Sequence, residues 1–267
     1  MNIAHLERPF ARIGARVKLS DRASRRRWNA PDFSLNIRED RRGEYFELVM
    51  PESTALELGV VDTRPEQRHL LLHVMRDGQK DKFLCGHDER HWFTCVVPGD
   101  GISSVRGAMQ ALRPPAVLEA LTQAGLRPRE ANRRHNAAFV RQGEWFFLPV
   151  PDSEVDSSVI HTNEPLSRGW GSKPHWVEKI VRVGGQAVYH DFMTGKVISV
   201  ERYIHLRQTQ PGFNTGNWSQ RFQDATVYAT GWVRHSDHAT LQLRGWHRVL
   251  MNTEGQARAA RHVVFLD

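Results

Sequence analysis

Short runs in which apolar and polar residues alternate, separated by turns rich in glycine and charge, recur along most of this chain. That pattern is the mark of paired antiparallel strands. Phe33–Ile37 and Tyr45–Met50 flank a charged turn closed by Gly43 and predict a hairpin. Leu70–Met75, an Asp77-Gly78 turn, Lys82–Cys85 and Trp92–Val97 continue the alternation, so the N-terminal part predicts one antiparallel sheet of four or five strands. Arg8–Leu19 alternates weakly and predicts a further strand.

The period changes after Pro98-Gly99-Asp100-Gly101. Ser103 is placed to cap a helix over Ser104–Leu112, and a second helix is expected from Pro114 at its first position to Gly125 at its end, with Val117, Leu118, Leu121 and Leu126 on its apolar side. Alternation then returns. Ala138–Arg141 and Glu144–Pro149 flank a Gln142-Gly143 turn, and strands are predicted near 176–183, 187–190, 197–206, 227–233, 240–243, 246–251 and 263–266. Pro151–Pro174 and Gln208–Asp224 read as long polar loops, and loops of that length tend to be functional or disordered. The predicted class is α+β, predominantly antiparallel β-sheet with a short helical connector. Its expected regions are an N-terminal β region over 1–98 carrying a basic arm, a connector over 99–135 and a C-terminal β region over 136–267, unless all three pack as one continuous domain.

Composition narrows the classes. At 40% hydrophobic and 25% charged residues the chain is an ordinary globular sequence. No apolar run approaches the roughly 20 residues a spanning helix needs, the N-terminus shows no secretory pattern, and Cys85 and Cys95 are too few for a disulfide framework. A cytoplasmic protein with no membrane partner is therefore expected. The net charge of +7 is carried by 31 Arg and only 6 Lys. Arginine grips phosphates bidentately and stacks on bases, so nucleic acid is the expected partner. A GC-rich genome would give the same arginine bias.

Four groups of residues carry candidate chemistry. Arg25, Arg26 and Arg27, ending in Trp28, could form an arm that grips phosphates, although charge runs are usually solvated. Arg168, Gly169, Gly171, Ser172 and Lys173 concentrate glycine, cation and hydroxyl as an anion cradle would, without the spacing of a phosphate loop. His175, His235, His238 and His247 are the histidines expected to share one face and move protons near neutral pH, the working group of a catalytic site. Cys85, His87, His91 and Cys95 supply four zinc-type donors within a short stretch, but not at the spacing of a zinc knuckle. Trp28, Trp170, Trp176, Trp218 and Trp246 stand near cations and would suit base stacking.

No Gly-x-Ser-x-Gly elbow, His-Glu-x-x-His helix, dinucleotide glycine turn or EF-hand occurs, which removes those reaction classes. The expected function is binding of a phosphate-bearing polymer, RNA or DNA, with or without histidine-assisted phosphodiester chemistry. A scaffold that docks an acidic protein partner and a metal-dependent hydrolase are the alternatives, with zinc as the candidate ion. Whether the chain is an enzyme stays open at this level.

Overall fold

A computed structural model describes residues 3–20, 33–50, 56–76, 78–150, 159–167 and 173–256 of the chain. The fold is α+β and dominated by antiparallel sheet, with five short helices. Two units are distinguished: one takes the described residues up to Glu119 and those from Asn252 onward, the other runs from Ala120 to Met251. No helix among the described residues is long and apolar enough to cross a membrane.

The first unit opens with α1 (Ala4–Arg12) where a strand was expected. Ile3, Leu6, Phe10 and Ile13 recur at helical spacing and all are buried, so burying one helical face outweighs the weak alternation. Gly14, at φ +79°, ends the helix. Its N–H bonds to the Ala11 carbonyl (2.9 Å) and that of Ala15 to the Phe10 carbonyl (3.0 Å), which satisfies two orphan acceptors of the last turn. Strand structure begins only at β1 (Val17–Ser20), which pairs in parallel with β3 (Gly43–Val49). β2 (Ser34–Asp40) and β3 form the expected hairpin.

The remaining strands of this unit, β4 (Leu56–Arg64), β5 (His69–Arg76), β6 (Gln79–Asp88) and β7 (His91–Val96), form a second, four-stranded sheet. The single N-terminal sheet expected from the sequence is thus two sheets. β4 is an unpredicted strand, although Leu56, Leu58 and Val60 do alternate. Burial on both faces explains the continuous run Leu70-Leu71-Leu72. Leu70, Leu72 and Cys85 join the core shared with α1 and β1–β3, while Leu71, Leu84 and Cys95 pack against α2 (Val105–Ala111) through Val105, Ala108 and Leu112. Ser104 caps α2, its Oγ accepting from Gly107 N–H at 3.0 Å. The chain returns to this unit late: Glu254 Oε1 accepts the Val96 N–H at 3.0 Å.

In the second part of the chain, α3 (Pro115–Gln123) and the one-turn α4 (Pro128–Ala131) lead to β8 (Val140–Gln142) and β9 (Trp145–Pro149). With β10 (His161–Leu166), β11 (His175–Val183), β15 (Thr226–Arg234) and β16 (Leu241–Met251) these form a six-stranded antiparallel sheet, ordered β10-β11-β15-β16-β9-β8. β12 (Gln186–Asp191), β13 (Val197–Ser199) and β14 (Trp218–Gln223) form a smaller sheet.

Three details differ from expectation. The strand predicted over 197–206 stops at Ser199, whose Oγ accepts the Arg202 N–H (3.2 Å) and starts α5 (Val200–Thr209); Tyr203 and Leu206 bury one face, and Tyr203 stacks on Tyr189 at 3.6 Å. Both polar stretches expected as loops contain a strand, β10 in one and β14 in the other. The two strands expected over 240–251 are one, with the register shifting between Ala229 and Gly231 of β15. The strand expected near 263–266 lies outside the described residues.

Alternate residues of the six-stranded sheet point inward. Trp145, Phe147, Leu166, Val177, Ile180, Val227, Ala229, Val233, Leu243 and Val249 make its core. The sheet curls on itself. Gly143, in the turn between the edge strand β8 and its neighbour β9, lies against His175 at the start of β11, and Gln142 Nε2 donates to the Ala239 carbonyl in the β15–β16 turn. This closure toward a barrel assembles residues that sequence alone leaves far apart.

Candidate functional site

The curling of the sheet gathers three histidines. His175 begins β11, while His235 and His238 stand in the β15–β16 turn. The ring centroids of His175 and His235 are 4.1 Å apart in a stacked pair, those of His235 and His238 4.8 Å, and those of His175 and His238 5.6 Å. One ring nitrogen from each can be chosen so that all three lie within 4.8 Å of one another. His175 is 1% exposed, and neither of its nitrogens has a hydrogen-bond partner. Burial, then the neighbouring His235 and His238, push its pKa down to about 3 against a weaker opposing pull from Asp237. The ring is therefore neutral at physiological pH.

The surroundings fix the other two rings. Asp237 N–H donates to His235 Nδ1 (3.1 Å), which puts the proton of a neutral His235 on Nε2, facing the Lys173 carbonyl at 3.3 Å. Lys173 Nζ reaches both Asp237 oxygens, at 2.7 and 2.9 Å. Burial opposes ionisation of Asp237, but hydrogen bonds from Lys173 and Ser236 win and hold its carboxyl below the usual range. Gly143, at φ +57°, closes the group. A Cβ there would meet His238 Nε2 at 3.0 Å and His175 Nε2 at 3.2 Å, so the absent side chain is what lets the turn approach the two imidazoles so closely. Trp145 Nε1 and Gln142 Oε1, on the same hairpin, are also buried without partners.

Of the residues singled out in the sequence, the structure thus brings together His175, His235 and His238, with Lys173 beside them. His247 is not in this group. It is buried on β16, its Nδ1 meets the Gly245 carbonyl at 3.0 Å, and burial, more than the nearby His135, lowers its pKa. Arg168, Gly169, Gly171, Ser172 and the arm Arg25, Arg26, Arg27 lie outside the described residues.

The expected cysteine-histidine zinc set is not assembled. Cys85 and Cys95 lie on opposite faces of the four-stranded sheet, one in each core. His87 packs edge-on against Trp92 at 4.9 Å, and His91 Nδ1 meets Glu44 Oε1 at 2.8 Å. Burial pushes the Cys85 thiol up to about 12, away from the thiolate that zinc requires.

A second feature lies on the outer face of the six-stranded sheet. Trp176 and Trp232 are 40% and 46% exposed. Trp176 pairs with Arg234 across β11 and β15, which makes Trp176 and Trp232 diagonal neighbours on one face. Lys179 on β11 and Arg244 and Arg248 on the adjacent β16 are exposed at outward positions, Trp246 is half-buried between the last two, and Arg234 Nη2 donates to Asn163 Oδ1 at 2.9 Å. None of these four cations forms an ion pair among the described residues. The single acidic neighbour on these strands, Glu178, accepts the Trp232 N–H at 2.9 Å and rests against Gly231. Trp232 went unmarked in the sequence, yet the alternation of Val227, Ala229 and Val233 inward already turns it outward. Nothing in sequence signalled the role of Gly143 beyond its turn.

Comparison with protein families, with curated proteins and with solved structures finds no match to this chain.

Proposed function

We propose that this protein binds single-stranded nucleic acid, RNA or DNA, on the outer face of the six-stranded sheet. The observation that carries the reading is the exposed pair Trp176 and Trp232 set among Arg234, Lys179, Arg244 and Arg248. Exposed indoles offer a stacking surface to bases of any sequence, and cations placed between them track the phosphates. The net charge of +7 favours the same class of partner. An apolar protein-docking face would instead be depleted of lysine and of charge at its centre. The bases of a duplex are already paired and stacked on one another and cannot reach exposed indoles, so unpaired strands are the better fit.

The test is a fluorescence titration with oligo(U) and oligo(dT), repeated across a salt series. Quenching of tryptophan emission is expected, with affinity falling steeply as salt rises because bound phosphates release counterions. A salt-independent response, or no binding in low salt, would overturn the reading.

A further inference from the structure

We propose that His175, His235 and His238 form a binding site for one divalent transition-metal ion, zinc or a neighbour of similar softness, held among the three rings beside Gly143. This inference stands apart from the nucleic-acid reading and uses none of the residues on the outer sheet face.

The donor set comes first. Three imidazoles present one nitrogen each within 4.8 Å of the others. Nitrogens bound at about 2.0–2.1 Å to one tetrahedral zinc ion are about 3.4 Å apart, so ring movements of about 1 Å close the site. The bare Gly143 does not obstruct that movement, whereas a β-carbon at this position would stand 3.0 Å from His238 Nε2 and 3.2 Å from His175 Nε2. Imidazole without carboxylate or thiolate suits zinc, copper, nickel or cobalt and disfavours magnesium and calcium, which take oxygen ligands.

The second, independent observation is the state of His175. A neutral imidazole carries one donor and one acceptor, and burying both without partners is costly enough that native interiors almost always fill them. Here the ring is 1% exposed, both nitrogens are unpartnered, and Trp145 Nε1 and Gln142 Oε1 beside the same turn are unpartnered too. An ion held among the three rings takes the His175 lone pair. Three rings at 4.1–5.6 Å centroid separations also bring three nitrogen donors of the kind zinc prefers to one place.

His235 fits with one exchange. Its Nε2–H toward the Lys173 carbonyl is the kind of backbone bond that orients metal-binding histidines, and it leaves the lone pair on Nδ1. That lone pair now accepts the Asp237 amide at 3.1 Å and would pass to the ion. Three histidine ligands leave a fourth position, which water or an anionic group fills from the half-exposed side of His235 and His238.

The experiment uses the full chain, stripped with a chelator and dialysed, then titrated with Zn²⁺ by calorimetry and with Co²⁺ by visible absorption. One Zn²⁺ per chain is expected, Co²⁺ giving the visible bands of a four-coordinate site, and Mg²⁺ giving no heat. His235→Gln and His238→Gln, at half-exposed positions that tolerate the change, should each weaken Zn²⁺ binding at least 100-fold, whereas His91→Gln should leave it unchanged. Zn²⁺ should raise Tm in the native chain and not in the His235→Gln, His238→Gln double variant. Absence of saturable Zn²⁺ binding, or binding within about threefold of native in that folded double variant, would overturn the site.

Discussion

Gly143 and His175 are packed against one another although one stands in the turn of an edge hairpin and the other begins a strand near the opposite edge: a Cβ on Gly143 would lie 3.2 Å from His175 Nε2. Gly143→Ala therefore meets two obstacles, the left-handed backbone at φ +57° and the two imidazoles. A loss of roughly 1–3 kcal/mol in urea unfolding of the metal-free chain is expected. Stability equal to native would mean that the turn can move away from the rings.

The burial of His175 makes the metal-free protein acid-sensitive. Its folded pKa of about 3 lies below the unfolded value near 6.5, so between these limits the unfolded chain holds more protons. Stability contributed at neutral pH should be lost as pH falls below about 6.5, with a slope of up to about 1.4 kcal/mol per pH unit from this group. His247, also lowered by burial, acts in the same direction. Urea unfolding in chelator at several pH values, native against His175→Phe, measures the share of His175: the variant should show the shallower slope.

On the outer sheet face, Trp232→Ala should weaken oligo(U) binding by roughly 1–3 kcal/mol if a base stacks there, with the salt slope unchanged. Arg244→Ala should do the converse, lowering the salt slope by about one unit with a smaller loss at low salt. Equal behaviour of the two variants in a filter-binding series would remove the division between stacking and phosphate contact.

Phe10 is fully buried and its ring centre is 5.1 Å from that of Phe46. Phe10→Ala should cost about 3–5 kcal/mol in chemical denaturation. A change under 1 kcal/mol would show that α1 is peripheral to the first core.

The periodicity of two was legible wherever one face of a strand meets a core, as in Phe33–Ile37 with Tyr45–Met50. It misled where a strand runs into a helix: Val197 and Ile198 are extended in β13, Val200 continues the β-branched run, and only the cap on Ser199 with Tyr203 and Leu206 one turn apart reveals α5. The histidines could be suspected from their turns, but their meeting depends on how far the six-stranded sheet curls, a property of accumulated twist and bulges that no local window contains. The cysteine-histidine stretch failed as a metal site for the reason that cross-strand register decides faces: Cys85 pairs with Thr94 and Cys95 with Leu84, which turns the two thiols apart.

That register has a practical reach. Both cysteines of the sequence belong to the first unit, and Cys85 is wholly buried with its thiol pushed up to about 12. A thiol reagent can reach Cys85 only when the sheet that holds it opens, so its labelling rate is a clock for opening of that unit. The second unit, with no cysteine, is silent in the same measurement, and the local stability of one half of the chain can be timed without touching the other.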